Sequence, residues 1–269
     1  HMKRSDLVNV FGTEHPVLGM IHLPPLPGSP CYSGNMDDVI AHALRDAETL
    51  SGNGVTSMII ENLGDYPYYP ETTEPETVAA MTRVALEIRK RYDMPLGINI
   101  LRNSWKAAMA VAAAADCQYI RLNVLTDATV TDQGPIVGKA HLLARYRKSI
   151  DAENVMIFAD IYCKHGAPMT PRSLDTVAKE MIGRGMADAL IVDGADSSQP
   201  APMEKIQAVR NAVPDTPIFL GSGMTVNTTD YLKVADGCVF GYGTKPSGDM
   251  NDPVDGPTVK QFMEQVKQL

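Results

Sequence analysis

Charged and amide side chains recur at the ends of short apolar runs in this chain. They are His22, Glu61 and Asn62, Asn99, Arg121 and Asn123, Asp160, and Asp193, with Lys164 and His165 just beyond one run. Glu61, Asp160 and Asp193 can supply a general acid and a general base if their surroundings push their pKa values apart. The same three carboxylates also suit a divalent cation such as magnesium. Lys164 offers an amine for a Schiff base if its pKa is depressed. Arg121 stands inside an apolar run, two residues before Asn123, so both belong to one face of a strand. A buried guanidinium needs a partner or a ligand, because an unpaired buried charge is costly.

Each residue also has a plainer reading. His22 can be a satisfied core histidine. Asn99 and Asn123 can cap loops, and Asp193 can cap a turn. Lys164 and His165 can be solvated loop residues. Arg121 can serve only a buried ion pair, with Glu61 or Asp160.

A second kind of signal is glycine at the ends of apolar runs. PIFLGSG (217–223) and DGCVFGYGTK (236–245) each close on a glycine-rich loop, and ADALIVDG (187–194) ends in Gly194. Such loops let backbone N–H groups approach an anion. Gly194, Gly221, Ser222, Gly223, Gly243 and Thr244 are therefore the expected phosphate contacts, although glycines of this kind can also serve only as turns. Walker A and Rossmann glycine patterns, a Gly-x-Ser-x-Gly elbow and an HxxxH pair are absent. A small phosphorylated molecule is thus expected in preference to a nucleoside triphosphate or dinucleotide.

Eight strand–helix units must position these groups. The strands are expected at 16–23, 56–63, 95–101, 119–125, 155–162 and 187–194, with the last two in the stretches 217–223 and 236–245. Helices are expected over 36–50, 76–91, the alanine-rich stretch near 107–115, 139–149, 173–184, 203–213, 225–235 and 258–268. The strands read as continuous apolar runs, the pattern of a parallel sheet covered on both faces. Eight such units in this length predict a single α/β (β/α)8 TIM barrel over 16–269, with 1–15 as an N-terminal extension. An open doubly wound sheet is the alternative. In the barrel, the loops after strands seven and eight are the usual phosphate site. The segments 126–138 and 163–171 read as long polar loops.

Composition narrows the function classes. A net charge of −8 gives no basic footprint for nucleic acid. No segment is long and apolar enough for a membrane span, and MKRSDLVNVFG lacks the apolar core of a signal peptide. The four cysteines form no CxxC pair, so free thiols and a cytoplasmic location are expected. His1-Met2 reads as the remnant of a tag. Nothing in the sequence requires a cofactor. Barrels of this size pair, so a homo-oligomer is expected. Tyr66, Tyr68 and Tyr69 are read either as its contact or as a lid over the mouth.

GMIHLPPLPGSP (19–30), IIENLGDYPY (59–68), the run from Asn123 to Arg147, ADIYCKHGAP (159–168) and GSGMT (221–225) together resemble the BtpA/SgcQ family. The resemblance covers about 16–256, with IHLPPLPGSP and TDQG its most specific strings. It implies a TIM-barrel enzyme related to phosphate-binding barrels. One branch is named for photosystem I biogenesis, and another sits among carbohydrate-metabolism genes as an isomerase or hydrolase. It places His22, Glu61, Asn62, Asn123, Asp132, Gln133, Asp160, Lys164, His165 and Gly221–Gly223 on motif positions, which adds Asp132 to the substrate contacts. The chain departs from the family pattern at VDGADSS (192–198) and at GYGTK (241–245), both flanking the expected phosphate site.

Three functions follow as expectations. The first is an isomerase or epimerase of a phosphorylated sugar or ribosyl compound. The second is a glycosidic hydrolase or lyase on a nucleoside or sugar derivative. The third is a non-enzymatic assembly factor.

Overall fold

The computed structural model describes all 269 residues. In chain order the strands are β1 (Val17–His22), β2 (Ser57–Glu61), β3 (Leu96–Asn99), β4 (Tyr119–Leu122), β5 (Ala128–Thr131), β6 (Gly134–Val137), β7 (Met156–Ile161), β8 (Gly166–Pro168), β9 (Ala189–Val192), β10 (Ile218–Leu220) and β11 (Gly237–Phe240). Eight of them close a parallel barrel in the ring order β1-β11-β10-β9-β7-β4-β3-β2, so the chain is a (β/α)8 TIM barrel.

Alternation along each strand explains why the runs are apolar throughout. Alternate side chains point to opposite faces of a strand. One set, including Leu18, Met20, Ile59, Tyr119, Phe158, Ile191, Phe219 and Val239, fills the barrel interior. The other, including Val17, Ile21, Met58, Ile60, Ile98, Ile120, Ile157, Leu190 and Cys238, packs outward against the helices. Those helices are α2 (Met36–Gly52), α3 (Pro75–Arg89), α4 (Trp105–Ala114), α5 (Ala140–Ser149), α6 (Leu174–Gly183), α7 (Met203–Ala212) and α8 (Gly256–Val266). Asn35 and Ser173 cap α2 and α6 with their side chains, as Asn and Ser do at helix starts.

The segment before the barrel is packed beneath it. A short helix, α1 (Leu7–Phe11), carries Leu7 and Phe11 into the lower interior layer. The Phe11 ring lies 6.0 Å from Tyr119, 6.4 Å from Phe158 and 6.3 Å from Phe219. Arg4 Nε donates to Asp236 Oδ1 at 2.8 Å and ties the segment to the start of β11. Phe11→Leu is expected to lower stability by about 1–2 kcal/mol, since the smaller side chain leaves a void among three aromatic rings. Urea unfolding measures this, and an unchanged midpoint would mean that the rings do not depend on the plug.

Two segments differ from expectation. The helix expected over 225–235 is only a 3-10 turn, Thr229–Lys233. Side chains compete for the backbone there: Thr225 N donates to Thr228 Oγ1, Asn227 N to Thr225 Oγ1, and Thr228 Oγ1 to Gly223 O. The polar loop expected over 126–138 is a hairpin, β5–β6, turning at Asp132-Gln133. β8 joins it from the next long loop to make a three-stranded antiparallel sheet. Four-residue strands offer too short an alternation to stand out in sequence.

Candidate active site at the barrel mouth

The interior register runs to the C-terminal end of each strand, and in β11 one residue beyond it, and it decides which polar side chains reach the mouth. His22 follows Met20, Glu61 follows Ile59, Arg121 follows Tyr119, and Gly241 follows Val239, each two residues on. They line a cavity of about 430 Å³ together with Asn99, Asn123, Lys164 and His165, the hairpin turn residue Asp132, and Gly221, Ser222 and Gly223. Asn62 is one residue out of register. It turns away, accepting from Leu101 N at 2.8 Å and donating to Asp65 Oδ2 at 3.2 Å.

Asp160 and Asp193 are not on the cavity lining, although they were expected to carry protons. They lie beneath it and hold Arg121. Arg121 Nε donates to Asp160 Oδ1 at 3.0 Å and Nη2 to Asp160 Oδ2 at 3.3 Å. Nη2 also reaches Asp193 Oδ1 at 3.4 Å. Asn123 Nδ2 adds a 2.6 Å bond to Asp160 Oδ2. Burial, against the pull of Arg121, pushes Asp160 up to about 6. Burial works the same way on Asp193, but Arg121, then Lys164, outweigh it and hold that carboxyl low. Arg121 thus has the ion pair anticipated with Asp160, and a second with Asp193, while still lining the cavity floor.

Glu61 is the carboxylate that does face the cavity. Its Oε2 accepts from Asn99 Nδ2 at 2.7 Å, and its Oε1 lies 3.9 Å from His22 Nε2. Burial raises its pKa above the ordinary glutamate value, and Arg121, Lys164, Arg102 and Lys245 only partly offset this. On its other side, His22 Nδ1 lies 3.0 Å from Lys245 Nζ. An ammonium can only donate, so Nδ1 accepts and the proton of the neutral ring sits on Nε2. Burial first, then Lys245 and Lys164, hold the His22 pKa well below its usual value. The imidazole is therefore neutral, with an N–H directed toward the Glu61 side of the cavity.

The glycine-rich loops contribute differently from expectation. Gly221 N donates to Val192 O, Gly223 N to Ser197 O, Gly194 N to Ser222 Oγ and Thr244 N to Gly241 O. Those four N–H groups are already used. A Cβ on Gly243 would lie 2.0 Å from Met224 O, so that glycine serves close packing. The N–H groups of Ser222, Met224 and Gly241 make no hydrogen bond within the chain, and all three residues line the cavity. Three amides free of partners, on the loops after β10 and β11, suit an anion. Gly223 has φ +68°, and a Cβ there would strike Pro200 N at 2.0 Å, so only glycine permits this turn.

Several lining residues were not anticipated: Arg102, Gly241, Tyr242 and Met250, with Lys245 behind His22. Arg102 had a legible signal, since it directly follows the apolar run of β3 in the way the other polar ends do. Lys245 had none, because its bond to His22 joins opposite ends of the chain. Of the tyrosines read as a lid or a contact, Tyr68 faces the cavity and donates to Leu63 O, while Tyr66 and Tyr69 remain exposed. No group of three or more His, Cys, Asp or Glu side chains is arranged to hold a metal ion. The two lower carboxylates already face a guanidinium, which leaves Glu61 alone. No helix is long and apolar enough to cross a membrane.

Residues 13–268 match the sequence profile of the BtpA family. The chain is 37% identical over 260 residues to the photosystem I biogenesis protein BtpA of Synechocystis, spanning 96% of this chain and 90% of that one. It is 39% identical over 258 residues to an uncharacterized protein of Thermococcus kodakarensis, spanning 94% and 96%. Among solved structures, N-(5'-phosphoribosyl)anthranilate isomerase from Pyrococcus furiosus superposes with a TM-score of 0.57 at 12% identity, over 95% of this chain and all of that one. At that identity the superposition speaks for the shared barrel alone.

Proposed function

The chain belongs to the BtpA family, and on that premise we propose that it is an enzyme acting on a phosphorylated sugar or ribosyl-type molecule by proton transfer, as an isomerase or epimerase does. The observation that carries this reading is the pairing of Glu61 with His22 across one cavity wall. A carboxylate whose pKa is raised toward the working pH is a suitable base. A neutral imidazole N–H beside it can stabilise an oxyanion without first losing a proton.

In this reading, Glu61 takes a proton from carbon next to a carbonyl. His22 Nε2–H donates to the carbonyl oxygen as negative charge develops there. The proton of the hydroxyl on the deprotonated carbon moves to the former carbonyl oxygen, and Glu61 returns its proton, on the same face, to the former carbonyl carbon. Arg121 and Asn123 orient hydroxyl groups from the floor, held in place by Asp160 and Asp193. The free amides of Ser222, Met224 and Gly241 bind the phosphate. Polar groups around the whole mouth favour small-molecule chemistry over a purely structural assembly role.

A thermal-shift series tests the phosphate contact. A saturating pentose phosphate at 100 times its Kd adds roughly 2.7 kcal/mol to stability. Ser222→Asp, which puts a negative charge on the residue whose amide is proposed to hold the phosphate, is expected to abolish the shift. If no phosphorylated compound moves the melting temperature of the wild type, or if Ser222→Asp keeps the shift, the phosphate reading is wrong.

A further inference from the structure

Arg102 presents a problem of charge that the chain itself does not solve. Arg102 is only 6% exposed, yet no carboxylate lies within salt-bridge distance of its guanidinium. Its Nη2 donates to the backbone carbonyl of Lys164 at 2.6 Å and sits 3.7 Å from Cys163 Sγ. Its Nε is enclosed and has no partner, and Nη1 has none within the chain. Lys164, whose carbonyl it grips, also carries an ammonium with no hydrogen bond or ion pair, and both residues line the cavity. Burying an unpaired guanidinium is costly, and a second cation nearby adds to that cost. Arg121, also buried, is by contrast set against two carboxylates.

We propose that Arg102 and Lys164 form a second anion seat, so that the substrate carries two acidic groups: a phosphate at the Ser222, Met224 and Gly241 amides, and a carboxylate or second phosphate at Arg102 and Lys164. The two-ended form rests on the phosphate reading above. The barrel order supports the spacing. Arg102 follows β3 and its guanidinium reaches the loop after β7, so it spans the end of β4. In the eight-strand ring, β4 stands opposite β11, which Gly241 directly follows. His22 on β1 and Glu61 on β2 lie on the arc between Gly241 and Arg102. A molecule anchored at both ends would pass its middle carbons beside that pair. A guanidinium is the group best suited to grip a carboxylate or phosphate with two bonds at once.

Calorimetric titration tests the seat with four probes: a pentose monophosphate, the matching bisphosphate, the matching phosphorylated sugar acid, and the unphosphorylated sugar acid. On the wild type, the bisphosphate or the phosphorylated acid should bind at least about tenfold tighter than the monophosphate, the worth of one charge-assisted hydrogen bond. Whichever of the two binds tighter identifies the second group. Arg102→Met and Lys164→Met should each erase most of that advantage, weakening the two-ended probe by a larger factor than the monophosphate. Lys164 is less deeply buried than Arg102, so its variant keeps the test open if Arg102→Met fails to fold. Equal binding of one-ended and two-ended probes by the wild type would overturn the proposal, as would an advantage that survives both substitutions. If the monophosphate does not bind but the sugar acid binds and is lost in Arg102→Met, the seat stands and only the phosphate reading falls. If no probe binds, both fall.

Discussion

Glu61→Gln is expected to lower turnover by about 10²–10⁴-fold, the range for loss of a positioned general base. Folding should survive the change, because the glutamine oxygen can still accept from Asn99 Nδ2 as Glu61 Oε2 does. The sign of the stability effect follows from the raised pKa of Glu61. A carboxyl whose folded pKa lies above its unfolded value favours folding below the unfolded value, about 4.3 for glutamate. That contribution is lost as pH rises through the folded pKa. At neutral pH the ionised carboxylate is therefore a burden on folding, and glutamine should leave stability equal or improved. The acid limb of the pH–rate profile should sit above the ordinary carboxylate range in the wild type and vanish in the residual activity of the variant. Full turnover in Glu61→Gln on an identified substrate would remove the base from the proposed mechanism.

Asp160→Ala is expected to act through stability, costing about 3–5 kcal/mol by leaving Arg121 short of a buried partner. The carboxylate takes three donors: Nε and Nη2 of Arg121 and Nδ2 of Asn123. Asn123 Oδ1 is already enclosed without a partner, so this corner has little slack. Asp160→Asn should cost less, since one amide oxygen can still accept from Arg121. The wild-type pH dependence adds a second check. With a folded pKa of about 6 against an unfolded value of about 3.9, the favourable contribution of Asp160 is whole below about 3.9 and fades as pH climbs through 6. Over that interval the gap between wild type and Asp160→Ala should narrow as pH rises. Equal melting temperatures for the two proteins at every pH would mean that the ion cluster does not support the floor.

The contrast between Glu61 and Asp160 shows how far the sequence could be read. Both are acidic residues at or near the ends of apolar strands, and both belong to the inward register of a barrel. Residue type and spacing bring each to the barrel axis. They do not say that one faces an open cavity while the other lies under a guanidinium. That depends on Arg121, two residues beyond Tyr119 on β4, reaching sideways to β7 and to the segment after β9. Asn62 could have been set aside from sequence alone, since its neighbour Glu61 already occupies the inward position and adjacent residues on a strand point opposite ways.

The amino-acid sequence by itself determined the barrel: eight apolar runs of strand length, each followed by a helical or glycine-rich stretch, admit few other closures. It also determined which polar residues gather at one end, because a strand of known register carries its side chains to a known face. The tertiary structure decided their roles. The Glu61–His22–Lys245 alignment, the free amides of Ser222, Met224 and Gly241, and the unpaired Arg102 all rest on contacts between segments remote in the chain. Local periodicity records which side of an element a residue occupies, but the burial and partners that set its charge and its proton come from elements brought together only by folding.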